Sequence, residues 1–140
     1  MSIKDVDFEK LDRICAKRII NDVGSSGQPP IYGYQFFTAG LSQYTKTIDE
    51  EYLQDYIKCG GSSFKLVLGA YGGGKTHFLY TIQGMAWATS YISSYIELSP
   101  SSTPFHKLEQ VYKSIITNLV YPQSPENLLD GQDRGIDAVL

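Results

Sequence analysis

Eight residues constrain this chain more than any others: Gly69-Ala70-Tyr71-Gly72-Gly73-Gly74-Lys75-Thr76, a match to Gly-x-x-x-x-Gly-Lys-[Ser/Thr]. With average residue usage the pattern arises by chance in about one chain of this length in two hundred, so its setting decides how to read it. The preceding Phe64-Lys65-Leu66-Val67-Leu68 is short, apolar and followed by glycines, which predicts a strand buried in a parallel sheet. The residues after it, Lys75 to about Ala88, read as a helix. Each residue type then has a physical task. Glycines let consecutive backbone N–H groups turn inward around an anion, in conformations that a side chain obstructs. The helix start adds unpaired donors and the positive end of a dipole. Lys75 is placed to reach the β- and γ-phosphates of a nucleotide, and the Thr76 hydroxyl to ligate Mg²⁺. The bland alternative is a flexible turn that happens to contain Lys-Thr, and the flanking strand and helix weigh against it.

The rest of the chain supplies a frame. Phe8, Leu11, Ile14, Cys15 and Ile19 recur at helical spacing between Asp7 and Asp22, with Asp5 or Asp7 as cap and Gly24 as stop. Residues 24–34 are rich in turn formers. A second helix is expected from Leu41 to Lys58, with Leu41, Tyr44, Ile48, Tyr52 and Tyr56 on one side and Gly60-Gly61 ending it. Tyr91–Leu98 reads as a second strand. Pro104 opens an amphipathic helix carrying Phe105, Leu108, Val111, Tyr112, Ile115, Ile116 and Leu119, and Ser124 is placed to cap a short last helix. The order helix, helix, strand, helix, strand, helix predicts an α/β fold behind a helical N-terminal segment, divided as 1–60 and 61–140.

Composition removes other classes. The 140 residues carry 12 basic and 15 acidic side chains, net −3, which argues against an obvious electrostatic footprint for nucleic acid though not against a DNA-bound assembly. No run approaches 18 apolar residues, which argues against a membrane span. Charges in Met1–Asp7 are unlike a signal peptide, and two distant cysteines make a reducing cytoplasm the default location. With only His77 and His106 beside Cys15 and Cys59, a zinc site lacks ligands.

Other site candidates are weaker than the loop. His77 follows Thr76 on the first turn and is a candidate nucleotide contact, with helix packing as the commoner role for such a residue. Tyr71, at the loop tip, is placed to cover a phosphate or base, or simply to fill surface. Glu97 invites a catalytic reading, but nothing nearby supplies its partner.

At these residues the sequence resembles the ATP-binding proteins of bacteriophage-exclusion (BREX) defence systems, a branch of AAA+-like P-loop ATPases. The likeness runs from about Ala16 to Leu140 and is most specific from Gly60-Gly61-Ser62-Ser63-Phe64-Lys65 into Gly69–Thr76 and His77-Phe78-Leu79. Arg18-Ile19-Ile20, Thr38-Ala39-Gly40-Leu41, Leu98-Ser99-Pro100, Pro104-Phe105 and Val111-Tyr112-Lys113 support it. The resemblance implies ATP binding with Mg²⁺ through Gly69–Thr76, and service in a multi-protein antiviral complex that meets DNA only through the assembly. It also implies a later strand ending in an acidic pair that holds Mg²⁺ and activates water. Tyr91–Leu98 ends instead in Leu98-Ser99-Pro100, and Arg134 has no support as an arginine finger. The expectation is therefore the incomplete N-terminal part of a P-loop NTPase core, an ATPase in its full-length form and inactive alone. Two alternatives stand beside it: a module that binds ATP without hydrolysing it, and a P-loop small-molecule kinase.

Overall fold

The computed structural model describes residues 13–27, 29–30, 33–122 and 134–139. They form two compact units, Met1–Met85 and Ala86–Leu140.

In the first unit, α1 spans Arg13–Ser26. Its expected start at Asp7 lies outside the described residues. Its end is not Gly24: the helix runs through that residue and closes at Gly27, whose φ of 64° takes the left-handed position while its amide donates to Val23 O at 3.0 Å. A single 3₁₀ turn, Tyr34–Phe37, follows Gly33, itself at φ 85°. Helix α2, Ser42–Thr47, then widens into a π-helical stretch, Ile48–Tyr56, where Ile57 N–H reaches back five residues to Tyr52 O at 2.8 Å. That change of pitch alters which residues face inward. Thr45 and Leu53 are buried, whereas Tyr44 and Tyr56 of the expected apolar side face solvent. The Thr45 hydroxyl meets burial by donating to Leu41 O at 3.0 Å. Gly60, at φ 87°, ends the element where expected, and Gly61 N–H donates to Tyr56 O at 2.9 Å.

Residues 61–70 do not form the expected strand. No described residue pairs with Phe64–Leu68, and Phe64, Leu66 and Leu68 are 85%, 71% and 83% exposed. A strand exists only through a partner's ladder, and apolar composition alone does not supply one. Within Phe64–Leu68, the Lys65 ammonium lies 3.9 Å from the Tyr52 ring centroid.

Helix α3 spans Lys75–Ala88, the expected bounds. One of its faces carries His77, Thr81 and Gly84, spaced to lie one above the other. Thr81 is 2% exposed and its hydroxyl donates to His77 O at 2.9 Å. Gly84 lies so close to the Tyr34 phenol that a Cβ there would overlap the hydroxyl. A glycine inside a helix costs about 1 kcal/mol relative to alanine. Here the missing side chain is what admits the tyrosine.

In the second unit, β1 (Ser93–Ser94) pairs antiparallel with β2 (Leu119–Val120), Ser93 opposite Val120 and Ser94 opposite Leu119. Of the expected strand Tyr91–Leu98 only these two residues enter a ladder, and that ladder is antiparallel. Helix α4, Leu108–Thr117, lies between the two strands in sequence, with the Ser94 hydroxyl donating to Ile115 O at 2.9 Å. Pro104 does not open α4; it accepts from Lys107 N–H in a turn, beside a bridge between Ser99 and Thr103. The Trp87 indole N–H donates to Ser93 Oγ at 2.8 Å, and Val120 is buried. Helix α5 is the short Ile136–Val139, entered through Gly135 at φ 94°, whose amide donates to Leu119 O at 2.9 Å. The helix expected after Ser124 begins outside the described residues. The fold is thus mixed helix and small sheet, in keeping with an α/β class. No described helix is long and apolar enough to cross a membrane.

Candidate functional site

The glycine loop leads directly into α3. Gly72 and Gly74 stand at φ 75° and 78°, conformations that side chains rarely adopt, so two of the three consecutive glycines are required by the backbone itself. The third sits in a crowded place: Gly73 N–H donates to Ala70 O at 3.1 Å, and a Cβ on Gly73 would stand 3.0 Å from that oxygen. The turn folds back so that Lys75 meets the loop's own entry. Its ammonium donates to Gly69 O at 3.0 Å and Ala70 O at 2.6 Å, and its stem passes 3.5 Å from where a Gly69 Cβ would be.

The amides tell the complementary story. Phe78 N–H is captured by Gly74 O at 2.9 Å, while the amides of Gly74, Lys75, Thr76 and His77 have no acceptor among the described residues. These are the orphan donors of a helix start, and they leave the positive end of α3 open beside a cation. Residues 69–74 are all exposed, Tyr71 completely so. Thr76 is half-buried on the first turn. Such an arrangement is suited to an anion, and its one hydroxyl at the helix start is suited to a hard cation held with that anion. No group of three or more His, Cys, Asp or Glu that could hold a metal ion exists among the described residues. Glu97 is exposed.

The structure thus brings Gly69, Ala70, Gly73 and Lys75 together. The His77 side chain turns to the Tyr34–Thr38 segment. His77 Nε2 lies 2.9 Å from the Thr38 hydroxyl, the Phe37 ring stacks obliquely on the imidazole at 5.2 Å between centroids, and the Tyr34 ring meets it edge-on at 6.3 Å. Thr38 Oγ1 also lies 2.7 Å from Tyr34 O, which can only accept, so the single hydroxyl proton goes there. His77 Nε2 is therefore the donor to Thr38. Its other nitrogen, Nδ1, is buried without a hydrogen-bond partner. Burial pushes the His77 pKa below its ordinary value and the Tyr34 pKa above its own, so both groups are held neutral. Thr38, Phe37 and Tyr34 escape a reading of local motifs because they stand about forty residues before the helix they touch. Gly84, an isolated glycine within a helical pattern, was the available signal of a close approach.

Comparison with curated proteins and with solved structures finds no match. A family model does match, over residues 13–131, and that span takes in the loop, α3 and the Tyr34–Thr38 segment together. The match covers most of the chain, and its description, BREX system ATP-binding protein, agrees with an anion-ready helix start armed with a lysine. The chain belongs to the BREX system ATP-binding protein BrxC/D family.

Proposed function

We propose that residues 69–76 are a phosphate-binding loop holding ATP with Mg²⁺, in a cytoplasmic protein of BREX anti-phage defence. Family membership carries the ATP binding and the defence role. The observation that supports the site is the pairing of four open amides at the start of α3 with a lysine folded over the same loop. When bound, the nucleotide supplies a polyphosphate and its Mg²⁺ supplies a charge that neutralises it. The chain's own part is to bind and orient. Gly74, Lys75 and Thr76 amides donate to phosphate oxygens, Lys75 exchanges two carbonyl partners for phosphate, and Thr76 offers its hydroxyl to the metal. In this reading the helical segment 1–60 precedes an ATP-binding part within 61–140, and protein partners bring the assembly to DNA.

Thr76 gives the test. Thr76→Ala should remove most of the Mg²⁺-dependent gain in ATP affinity, while Thr76→Ser should keep it because the hydroxyl survives. Titrations with and without Mg²⁺ measure that gain, and matching behaviour of the two variants would rule out the metal role.

A second reading, binding without hydrolysis, is favoured by one observation. The strands among the described residues, Ser93–Ser94 and Leu119–Val120, carry no carboxylate to hold the metal's far side or orient water. Without such positioning phosphoryl transfer keeps most of its barrier. This chain should bind ATP yet release no phosphate above a Lys75→Ala control, and turnover abolished by Lys75→Ala would refute the reading.

A further inference from the structure

We propose that His77 is a positioning residue that ties the nucleotide loop to the segment Tyr34–Thr38, so that ATP affinity depends on the bond from His77 Nε2–H to Thr38 Oγ1. The inference rests on the phosphate-loop reading of residues 69–76 and adds to it a control point outside the loop.

Three observations carry it. First, His77 shares the opening turn of α3 with Lys75 and Thr76, so any rotation of that turn moves all three. Second, the bond is directional. Thr38 Oγ1 sends its one proton to Tyr34 O at 2.7 Å and receives the imidazole proton at 2.9 Å, which links the helix start to the backbone of the 3₁₀ turn. Third, the imidazole is an expensive choice for that slot. Its Nδ1 is buried and unpartnered, whereas a phenylalanine would fill the same space between Phe37 and Tyr34 with no orphaned atom. The polar ring is the worse filler, and what it adds is the Nε2–H donor.

The rest of the face shows why such a lock matters. Thr81 turns its hydroxyl back to His77 O inside its own helix, and Gly84 offers Tyr34 a surface without a side chain. Contacts of that kind fill space but set rotation loosely, while a hydrogen bond is lost within a few tens of degrees. The first turn is therefore held in register by a residue that need not touch nucleotide.

The test compares ATP and adenosine affinities in the whole chain. His77→Phe and Thr38→Val should each weaken ATP about tenfold, near the worth of one net hydrogen bond, and leave adenosine unchanged. His77→Gln, whose amide N–H reaches as far as Nε2, and Thr38→Ser should recover most of that loss. The double variant should be no worse than either single one. If Lys75→Ala spoils ATP selectivity but His77→Phe and Thr38→Val leave the ATP-to-adenosine ratio intact, the positioning role is overturned and the loop reading survives. If Lys75→Ala has no effect on the ratio, both fall. A measurement on the unaltered chain needs no variant to fold. Coupling is reciprocal, so ATP should slow amide exchange at Phe36–Thr38, and ¹⁵N spectra of His77 should show Nε2 protonated and Nδ1 bare. Exchange indifferent to ATP, or the opposite tautomer, would overturn the proposal.

Discussion

Replacing Lys75 by alanine should weaken ATP binding by about ten- to a hundredfold while leaving adenosine affinity unchanged, the span expected for a hydrogen bond to a charged group. The sign follows from what the ammonium does in the loop. It already satisfies two donors, on Gly69 O and Ala70 O, so phosphate does not meet a bare charge. The gain on binding is the difference between a charge–phosphate contact and two charge–dipole contacts, which places the effect below that of an unpartnered lysine. Lys75→Arg should not restore it. The compact ammonium sits against the Gly69 and Ala70 carbonyls, and a planar fork is larger than the point charge it replaces. Calorimetric titration with both ligands measures the outcome. The ratio of the two affinities is the decisive quantity, because any change in the folded fraction acts on both alike and cancels. Equal losses for ATP and adenosine would mean that Lys75 acts through folding.

Much of the candidate loop's backbone was legible in the sequence because its rules are local. A motif spaced Gly69 to Thr76 specifies its own backbone, and the left-handed Gly72 and Gly74 together with the start of α3 at Lys75 agree with it. What was not legible is non-local. His77 stood next to Thr76 in sequence, which made nucleotide contact a fair candidate role, yet its neighbours are Thr38, Phe37 and Tyr34. Packing, the commoner role for such a residue, is what its contacts display.

The same division runs through the fold. Helix α1 ends at Gly27 rather than Gly24 because a glycine stops a helix only where the backbone turns left-handed, and composition does not say which glycine does so. The π-helical pitch of Ile48–Tyr56 is set by where the carbonyls find donors, and a 3.6-residue count along Tyr44, Ile48, Tyr52 and Tyr56 has no access to that. Phe64–Leu68 has the composition of a buried strand without a described partner. Tyr91–Leu98 gives two residues to an antiparallel ladder because its partner, Leu119–Val120, follows directly from α4.

Heating this chain should give a shallow, gradual loss of helical signal, with strong binding of a hydrophobic dye before the transition. Cooperative melting needs apolar side chains removed from water together, at about 25 cal/mol for each Å². Among the described residues the buried apolar side chains are Leu53 and Val120, with two prolines, Pro30 and Pro104, beside them. Against them stand Phe64, Leu66 and Leu68 on the unpaired segment and Leu108 and Tyr112 on α4, all exposed. Helix α4 is the strongest case, since its apolar positions are spaced for a surface to pack against and none of them is buried. Local hydrogen bonds persist under these conditions, so circular dichroism should still report helix while side-chain packing stays loose. Mg-ATP should raise the midpoint only slightly, because ligand linkage stabilises by RT ln(1 + [L]/Kd) and acts on a state that is itself loosely held. The exposed strand-like run adds a second consequence: Phe64–Leu68 presents amides and carbonyls unpaired among the described residues along an apolar stretch, so association should grow with concentration. Replacing Leu66 and Leu68 by lysine should suppress both dye binding and association while leaving the helical signal in place, since neither residue lies in a helix. A sharp, concentration-independent transition of a monomer that binds no dye would contradict this account, and would require that these apolar side chains be covered in solution.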